Sequence, residues 1–128
     1  MNRLILLVGT GAFLGAVMRY ASSGLVQRLA GSSEFPLGTL VVNVIGCFLV
    51  GFISQLVEAR GLFSAELRAM VIPGFLGGLT TFSTFSNETL NLFQDGESGI
   101  GLLNVAGHVV LGLGAVWIGR TVAFMIWR

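Results

Sequence analysis

Hydrophobic residues fill long stretches of this chain, and polar residues cluster in the short segments between them. The apolar stretches run from about Leu4 to Val26, Leu37 to Val57, Ala69 to Phe93 and Gly99 to Trp127. The hydrocarbon core of a bilayer is about 30 Å thick, and about 20 mostly apolar helical residues span it. The pattern therefore predicts an all-α membrane protein with four transmembrane helices, which together form one domain over residues 1–128.

Composition and charge agree with this prediction. The chain has 54% hydrophobic and only 10% charged residues, whereas an ordinary soluble domain has roughly 25% charged residues. Seven arginines nearly balance six acids, so the chain offers no basic face for nucleic acid. The arginines only slightly favour the side that holds both termini and the middle loop. This weak bias leaves open insertion in both orientations, which would permit an antiparallel homodimer.

The third stretch differs from a plain membrane helix because it contains residues that disfavour helical backbone. Pro73 lacks a backbone N–H, and each residue of the Gly77-Gly78 pair costs a helix about 1 kcal/mol relative to alanine. We therefore expect the third helix to be broken near its middle. Carbonyls released at such a break are natural ligands for a hard cation, provided that protein or a cavity surrounds them.

Five hydroxyl residues lie within the seven positions 80–86, interleaved with Phe82 and Phe85. Hydroxyl groups donate to an anion without adding negative charge, and the edge of a phenyl ring carries the positive part of its quadrupole. The run therefore favours a pathway for an anion. The alternative is a kinked helix whose hydroxyls bond back to its own carbonyls.

Single polar residues within the other stretches allow two interpretations each. We expect Arg19 to reach toward the lipid headgroups, with ion capture as the alternative. Asn43 either bonds to a neighbouring helix or faces a polar pathway. Glu88 is either a functional carboxylate or the partner of an arginine near the interface. His108 is expected to be a hydrogen-bonded structural residue, with proton relay as the alternative.

Two glycine pairs with four-residue spacing indicate close helix packing. Gly11 with Gly15, and Gly74 with Gly78, are equally compatible with packing inside one subunit and with contact between subunits. Arg120 is expected to extend toward the headgroups near the end of the fourth span. No combination of nucleophile, base and orienting acid can be assembled from these residues, so we expect no enzyme.

The motifs of three stretches together resemble the Fluc family of small fluoride channels, also called CrcB. The resemblance rests on GFLGGLTTFSTFS followed by Glu88, on PLGTLVVNVIG around Asn43, and on GAFLGAVMRY, which ends at Arg19 and Tyr20. It covers nearly the whole chain. It implies an antiparallel dual-topology homodimer in the lipid of the cell inner membrane, with two pores that passively export fluoride and protect against its toxicity. Some members of the family work instead as heterodimers of paired chains.

The resemblance also implies functional positions. The residues that it places along the ion pathway are Asn43, Phe82, Ser83, Thr84, Phe85 and Ser86. Glu88 matches an acid of the family, and together with His108 it completes the set of predicted pathway residues. It places the main-chain carbonyls of Gly77 and Thr80 at a structural sodium ion, which is not transported, at the dimer centre. The fourth span departs from the family, since Gly112 and Val116 stand where many members carry hydroxyls. Three alternatives follow for the polar pathway along the fourth span. His108 together with the third-span hydroxyls is sufficient for conduction, or bound water replaces the missing hydroxyls, or the chain conducts fluoride less well.

Two other functions remain as alternatives. A small multidrug-type proton-coupled transporter also has four spans in a chain of this length, but it needs an acid in its first span, and the first stretch here has none. A structural or assembly role in the membrane is the other alternative. Fluoride efflux from liposomes that contain only this protein would separate the three.

Overall fold

The computed structural model describes residues 2–31 and 33–127, and these residues form a bundle of helices. The helices are α1 (Asn2–Leu29), α2 (Leu37–Arg60), α3 (Ala65–Ala69), α4 (Gly77–Leu79), α5 (Phe82–Gln94) and α6 (Ser98–Ile126), with a π-helix at Met70–Leu76 between α3 and α4. Four segments are long and apolar enough to cross a membrane, which confirms the predicted spans: Asn2–Leu29, Leu37–Ala59, Ala65–Gln94 and Ser98–Ile126. The segment Ala65–Gln94, from α3 to α5, is called the third span below.

Ion pairs join the ends of the helices around the middle loop. Arg3 on α1 lies 3.9 Å from Glu66 on α3. Arg120 on α6, which was expected to extend toward the headgroups, makes two 3.1 Å hydrogen bonds to the exposed Glu58 on α2. These contacts place the start of α1, the end of α6 and the middle loop at one end of the bundle, as an even number of spans requires.

Glycines allow α1 to approach the third span closely. A Cβ added to Gly11 would overlap Met70 O, and one added to Gly15 would overlap Phe75 O. From the other side, a Cβ on Gly78 would overlap Ala12 O. Of the two interpretations of the glycine pairs, the structure therefore shows the first, packing within one subunit.

A second glycine contact joins α2 to α6. A Cβ on Gly51 would overlap Val116 O, and one on Gly119 would overlap Phe48 O. The small apolar core lies where α2 meets the third span, and its buried residues are Val42, Leu76 and Leu79. Much of the remaining apolar surface faces outward, as Leu113 and Trp117 of α6 do, which suits contact with lipid.

Candidate functional site

The third span is interrupted at Thr80 and Thr81, between α4 and α5. Both residues have extended backbone, with φ and ψ of −88° and 155° for Thr80 and −150° and 115° for Thr81. The predicted break near the middle of this span is therefore confirmed. Thr81 also caps α5, because its Oγ1 accepts a hydrogen bond from the Thr84 N–H at 3.2 Å.

The residues that were expected to cause the break remain helical themselves. Pro73 lies within the π-helix Met70–Leu76, and Gly77 and Gly78 both belong to α4. The break follows two residues after the glycine pair. Gly78 packs against α1, so its lack of a side chain serves helix packing. The position of the break depends on a partner on another helix.

That partner is Asn43 on α2. Its Oδ1 accepts the Thr81 N–H at 2.8 Å, and its Nδ2 donates to Thr81 O at 3.0 Å. One side-chain amide thus replaces both backbone bonds that Thr81 would make inside a helix. Of the two interpretations given for Asn43, the structure shows the interhelical hydrogen bond, and the same residue also lines the cavity described below.

The carbonyls of Gly77 and Thr80 are among those that lose their usual donors at the break. In a continuous helix the Thr81 N–H would bond to Gly77 O, and the Thr84 N–H would bond to Thr80 O. Here the first donor bonds to Asn43 Oδ1 and the second to Thr81 Oγ1. The carbonyls of Gly77 and Thr80 are therefore deprived of the hydrogen bonds that a continuous helix would supply.

Arg19 reaches the break, although it was expected to extend toward the headgroups. Its Nε donates to Gly78 O at 3.0 Å, and its side chain is half-buried. Lipid cannot satisfy a carbonyl that a helix leaves unpaired, so the guanidinium stabilises the broken backbone. It also places a positive charge beside the interruption of the third span.

A cavity of about 300 Å³ lies beside the break. Its lining comes from α2, the break, α5 and α6: Asn43, Val44, Cys47, Val50, Thr80, Thr81, Phe82, Phe85, His108, Val109, Gly112 and Val116. The polar side chains of this set belong to the early parts of α2 and α6 and to the break. Gly112 and Val116, which follow on α6, leave the continuation of the cavity apolar.

Two phenylalanines and the histidine stand next to one another at this cavity. The ring centroids of Phe82 and Phe85 are 5.4 Å apart with an interplanar angle of 57°. The centroids of Phe85 and His108 are 4.2 Å apart. Phe82 is 79% exposed and Phe85 only 9%. Asn43 lines the same cavity as these three residues, so the structure brings together four of the predicted pathway residues.

A buried polar network holds Phe85 and His108 in place. His108 Nδ1 lies 3.0 Å from Asn104 O, and the fully buried Asn104 side chain donates through Nδ2 to Thr89 Oγ1 at 2.9 Å. Thr89 Oγ1 in turn donates to Phe85 O at 2.8 Å. Sequence reasoning missed Asn104 and Thr89, although an amide within the apolar run around residue 104 is the same signal that singled out Asn43.

The predicted pathway hydroxyls make short-range hydrogen bonds. Ser86 Oγ donates to Phe82 O at 2.9 Å, which is the back-bonding pattern of the alternative interpretation. Thr81 Oγ1 donates to Thr84 Oγ1 at 3.0 Å and lies 3.2 Å from Ser83 Oγ. Ser83 and Thr84 are absent from the lining of the cavity, and Ser86 lines a shallower pocket with Phe85.

Glu88 bonds to a threonine. Thr39 Oγ1, on α2, donates to Glu88 Oε1 at 2.7 Å. Glu88 Oε2 is buried and has no hydrogen-bond partner among residues 2–31 and 33–127. The carboxylate borders a separate polar pocket that also contains Gln27 and Glu34. Sequence reasoning missed Thr39, because the spacing of residues 39 and 88 along the chain carries no sign of their contact.

Known proteins are similar to this chain over nearly its whole length, including the parts of α2, the third span and α6 that form the cavity. The family model described as "CrcB-like protein, Camphor Resistance (CrcB)" matches residues 6–120. The chain is 50% identical over 122 residues to the fluoride-specific ion channel FluC of Opitutus terrae, which covers 94% of this chain and 92% of that protein. It is 47% identical over 115 residues to FluC of Dehalococcoides mccartyi, covering 90% and 88%. For the fluoride-specific ion channel FluC 1 of Methanosarcina acetivorans the identity is 44% over 116 residues, covering 91% and 87%.

Proposed function

Since the chain belongs to the CrcB family of multi-pass membrane ion channels, we propose that it is a fluoride-selective channel. It passively exports fluoride across the cell inner membrane and protects the cell against fluoride toxicity. The observation that carries this proposal is the 50% identity to a fluoride-specific channel over 94% of the chain. The geometry beside the break supports it further.

The groups at the cavity suit an anion that must leave as readily as it enters. A fluoride ion is strongly hydrated, so a selective pathway replaces its water with hydrogen-bond donors. Asn43 Nδ2 carries two N–H bonds, and Thr81 O uses one of them. The ring edges of Phe82 and Phe85 add weak positive potential. Within the described part of the chain no arginine lines the cavity, so no permanently charged cation there holds the anion too tightly.

We infer that two copies associate in antiparallel orientation and form two pores. Gly77 and Phe82 are exposed on a single chain, at the depth where the third span is broken. Interrupted backbone inside a bilayer must be covered by protein or line a water-filled cavity. A second copy inserted in the opposite orientation would cover this surface, and each copy would contribute one cavity.

The carbonyls released at the break fit a structural sodium ion. Gly77 O and Thr80 O lack the donors of a continuous helix, and uncharged backbone oxygens are suitable ligands for Na⁺. Gly78 O is already used by Arg19. With Gly77 O and Thr80 O as ligands, the ion would take two oxygens from one chain and the same two from its antiparallel copy. The bound cation would join the two copies at their centre and would not be transported.

The proposed pathway is tested by replacing both of its phenylalanines. The double variant Phe82→Ile, Phe85→Ile loses the aromatic edges, so we expect fluoride efflux from proteoliposomes to be abolished while the dimer stays intact on size-exclusion chromatography. Phe13→Ile, at an exposed position of α1, is the matched control and should conduct normally. Normal efflux through the double variant would refute the pathway.

The same assay separates a channel from an exchanger. Fluoride efflux through a passive channel follows the electrochemical gradient of fluoride and needs no imposed proton gradient. Efflux that occurs only with a proton gradient, or transport of an organic cation in place of fluoride, would favour the multidrug-type transporter. A complete lack of efflux from pure protein would favour a structural or assembly role.

The sodium site is tested by removing the ion. Purification and reconstitution with potassium in place of sodium, at equal ionic strength, should impair dimer assembly or fluoride efflux, because the carbonyls of Gly77 and Thr80 would lose their cation. Dimer content is measured by cross-linking and transport by efflux. Complete indifference to sodium would contradict the site and leave the fluoride pathway itself unaffected.

A further inference from the structure

The two ring nitrogens of His108 have different surroundings. Nδ1 lies 3.0 Å from the carbonyl oxygen of Asn104. A carbonyl can only accept a hydrogen bond, so Nδ1 carries the hydrogen. A neutral imidazole has a single N–H, and Nε2 therefore bears a lone pair. Nε2 is also buried and has no hydrogen-bond partner within the described ranges, 2–31 and 33–127.

The surrounding structure keeps the ring in this orientation. Asn104 is 0% exposed, and its side chain is tied to Thr89 on α5. The carbonyl that receives the Nδ1 hydrogen therefore cannot move away easily. On its other side the imidazole lies against the ring of Phe85, with 4.2 Å between the centroids. His108 is thus a residue of the cavity lining whose Nε2 is a fixed acceptor, buried among its neighbours.

A lone pair repels an anion, whereas a protonated Nε2 donates a hydrogen bond to it. We propose that His108 supplies a hydrogen bond to the permeating anion only when Nε2 is protonated, so that fluoride efflux through this chain increases in acid. The inference rests on the proposed function and adds a regulation to the same cavity. It also gives this chain a donor on α6, where Gly112 and Val116 provide no side-chain donors.

Other titratable groups lie on the two helices that pack against α6 around His108. On α2, Cys47 lines the same cavity. On α5, Glu88 is bonded to Thr39 and is absent from the cavity lining. Further along, Glu58 of α2 and Arg120 of α6 pair with each other near the end of the bundle. Histidine is the side chain whose charge ordinarily changes between about pH 5 and pH 8.

The experiment measures fluoride efflux from proteoliposomes at equal internal and external pH, at about pH 5.5 and about pH 8. Efflux from protein-free liposomes is subtracted at each pH, because neutral hydrogen fluoride crosses lipid unaided. We expect the rate of the unmodified protein to rise several-fold at the lower pH. Equal rates at both pH values, or a slower rate in acid, would overturn the proposal. Absence of efflux at every pH would instead refute the proposed function.

Two variants assign the effect to the imidazole. His108→Gln and His108→Ser carry donors that do not titrate in this range, so each should conduct at a rate that is independent of pH. Testing both keeps the assignment falsifiable if one fails to fold. Cys47→Ala should keep the acid-dependent increase. An acid-dependent increase that persists in His108→Gln or His108→Ser, or that is lost in Cys47→Ala, would contradict the role of His108.

Discussion

The two halves of the third span are held in the protein by different forces. The first half, Met70–Leu79, packs against α1 mainly through backbone contacts at glycines such as Gly15 and Gly78, with one side-chain hydrogen bond from Arg19 to Gly78 O. The second half, α5, is held by side-chain hydrogen bonds from α2 and α6, which connect Asn43 to Thr81, Thr39 to Glu88 and Asn104 to Thr89.

This difference separates a structural role from a functional one. The glycine contacts form because glycine has no side chain, and for the same reason they present no side-chain donor to an ion. The hydrogen bonds around α5 bring polar groups into an apolar bundle, where an unpaired polar atom is costly. Groups of this kind can exchange partners with a permeating ion, whereas packed glycines cannot. Mutations in the first half should therefore act on stability, and mutations in the second half on both stability and transport.

The largest effect on stability is expected at the glycine contact with α1. In Gly15→Ala the new Cβ would overlap the backbone of Phe75, which should destabilise the fold by about 1–3 kcal/mol. Gly24→Ala on the same helix meets no atom within 4 Å, and it should be neutral or stabilise by up to about 1 kcal/mol. Thermal unfolding in detergent measures both. An equal change in unfolding temperature in the two variants would show that the glycine packed against the third span matters no more than the glycine with free space around it.

A similar loss of stability, combined with loss of transport, is expected at Asn43. Asn43→Ala leaves the Thr81 N–H and C=O without their partner at the break, and because both bonds are only part-buried we expect a total cost of about 1–3 kcal/mol. Fluoride efflux should fall to the level of protein-free liposomes. Asn87→Ala, at an exposed position of α5, serves as the control and should retain both stability and efflux. Full efflux in Asn43→Ala would show that the amide contributes nothing to transport.

The smallest effect is expected at Ser86. Its hydroxyl bonds to Phe82 O one turn earlier in the same helix, so Ser86→Ala should change stability by no more than about 0.5 kcal/mol. Efflux should fall moderately, because Ser86 is a predicted pathway hydroxyl. Unchanged efflux would show that this hydroxyl serves only its own helix, and would restrict the functional part of the second half to residues at the cavity.

The spans and the existence of the break could be predicted because both depend on local sequence. Long apolar stretches and the Pro73 and Gly77-Gly78 signals are visible in a short window. The position of the break at Thr80 and Thr81 could not be predicted in this way, since it depends on an amide 38 residues away in sequence. The expectation that Arg19 extends toward the headgroups was wrong for the same reason, because its hydrogen-bond partner, Gly78 O, lies 59 residues away in sequence.

The candidate site was predicted as a set of residues and not as an arrangement. The family motifs indicated Asn43, Phe82 and Phe85, which the structure places around one cavity together with His108, the titratable residue predicted from the fourth span. The same motifs indicated Ser83 and Thr84, which make local bonds outside that cavity. Thr39 went unnoticed because its partner Glu88 lies 49 residues away on another helix, whereas Asn104 was overlooked although an amide within an apolar run is visible in the sequence.

Hydropathy and composition alone establish that this chain crosses a membrane four times, because transfer of apolar helices into lipid depends on each segment separately. The motif in the third span likewise establishes that its helix is broken. Only the packed bundle decides which carbonyls are released, which nitrogen of His108 carries the hydrogen and which glycines are indispensable. Each of these depends on a partner brought close by folding, and hydrogen bonds and van der Waals contacts act only over a few ångströms.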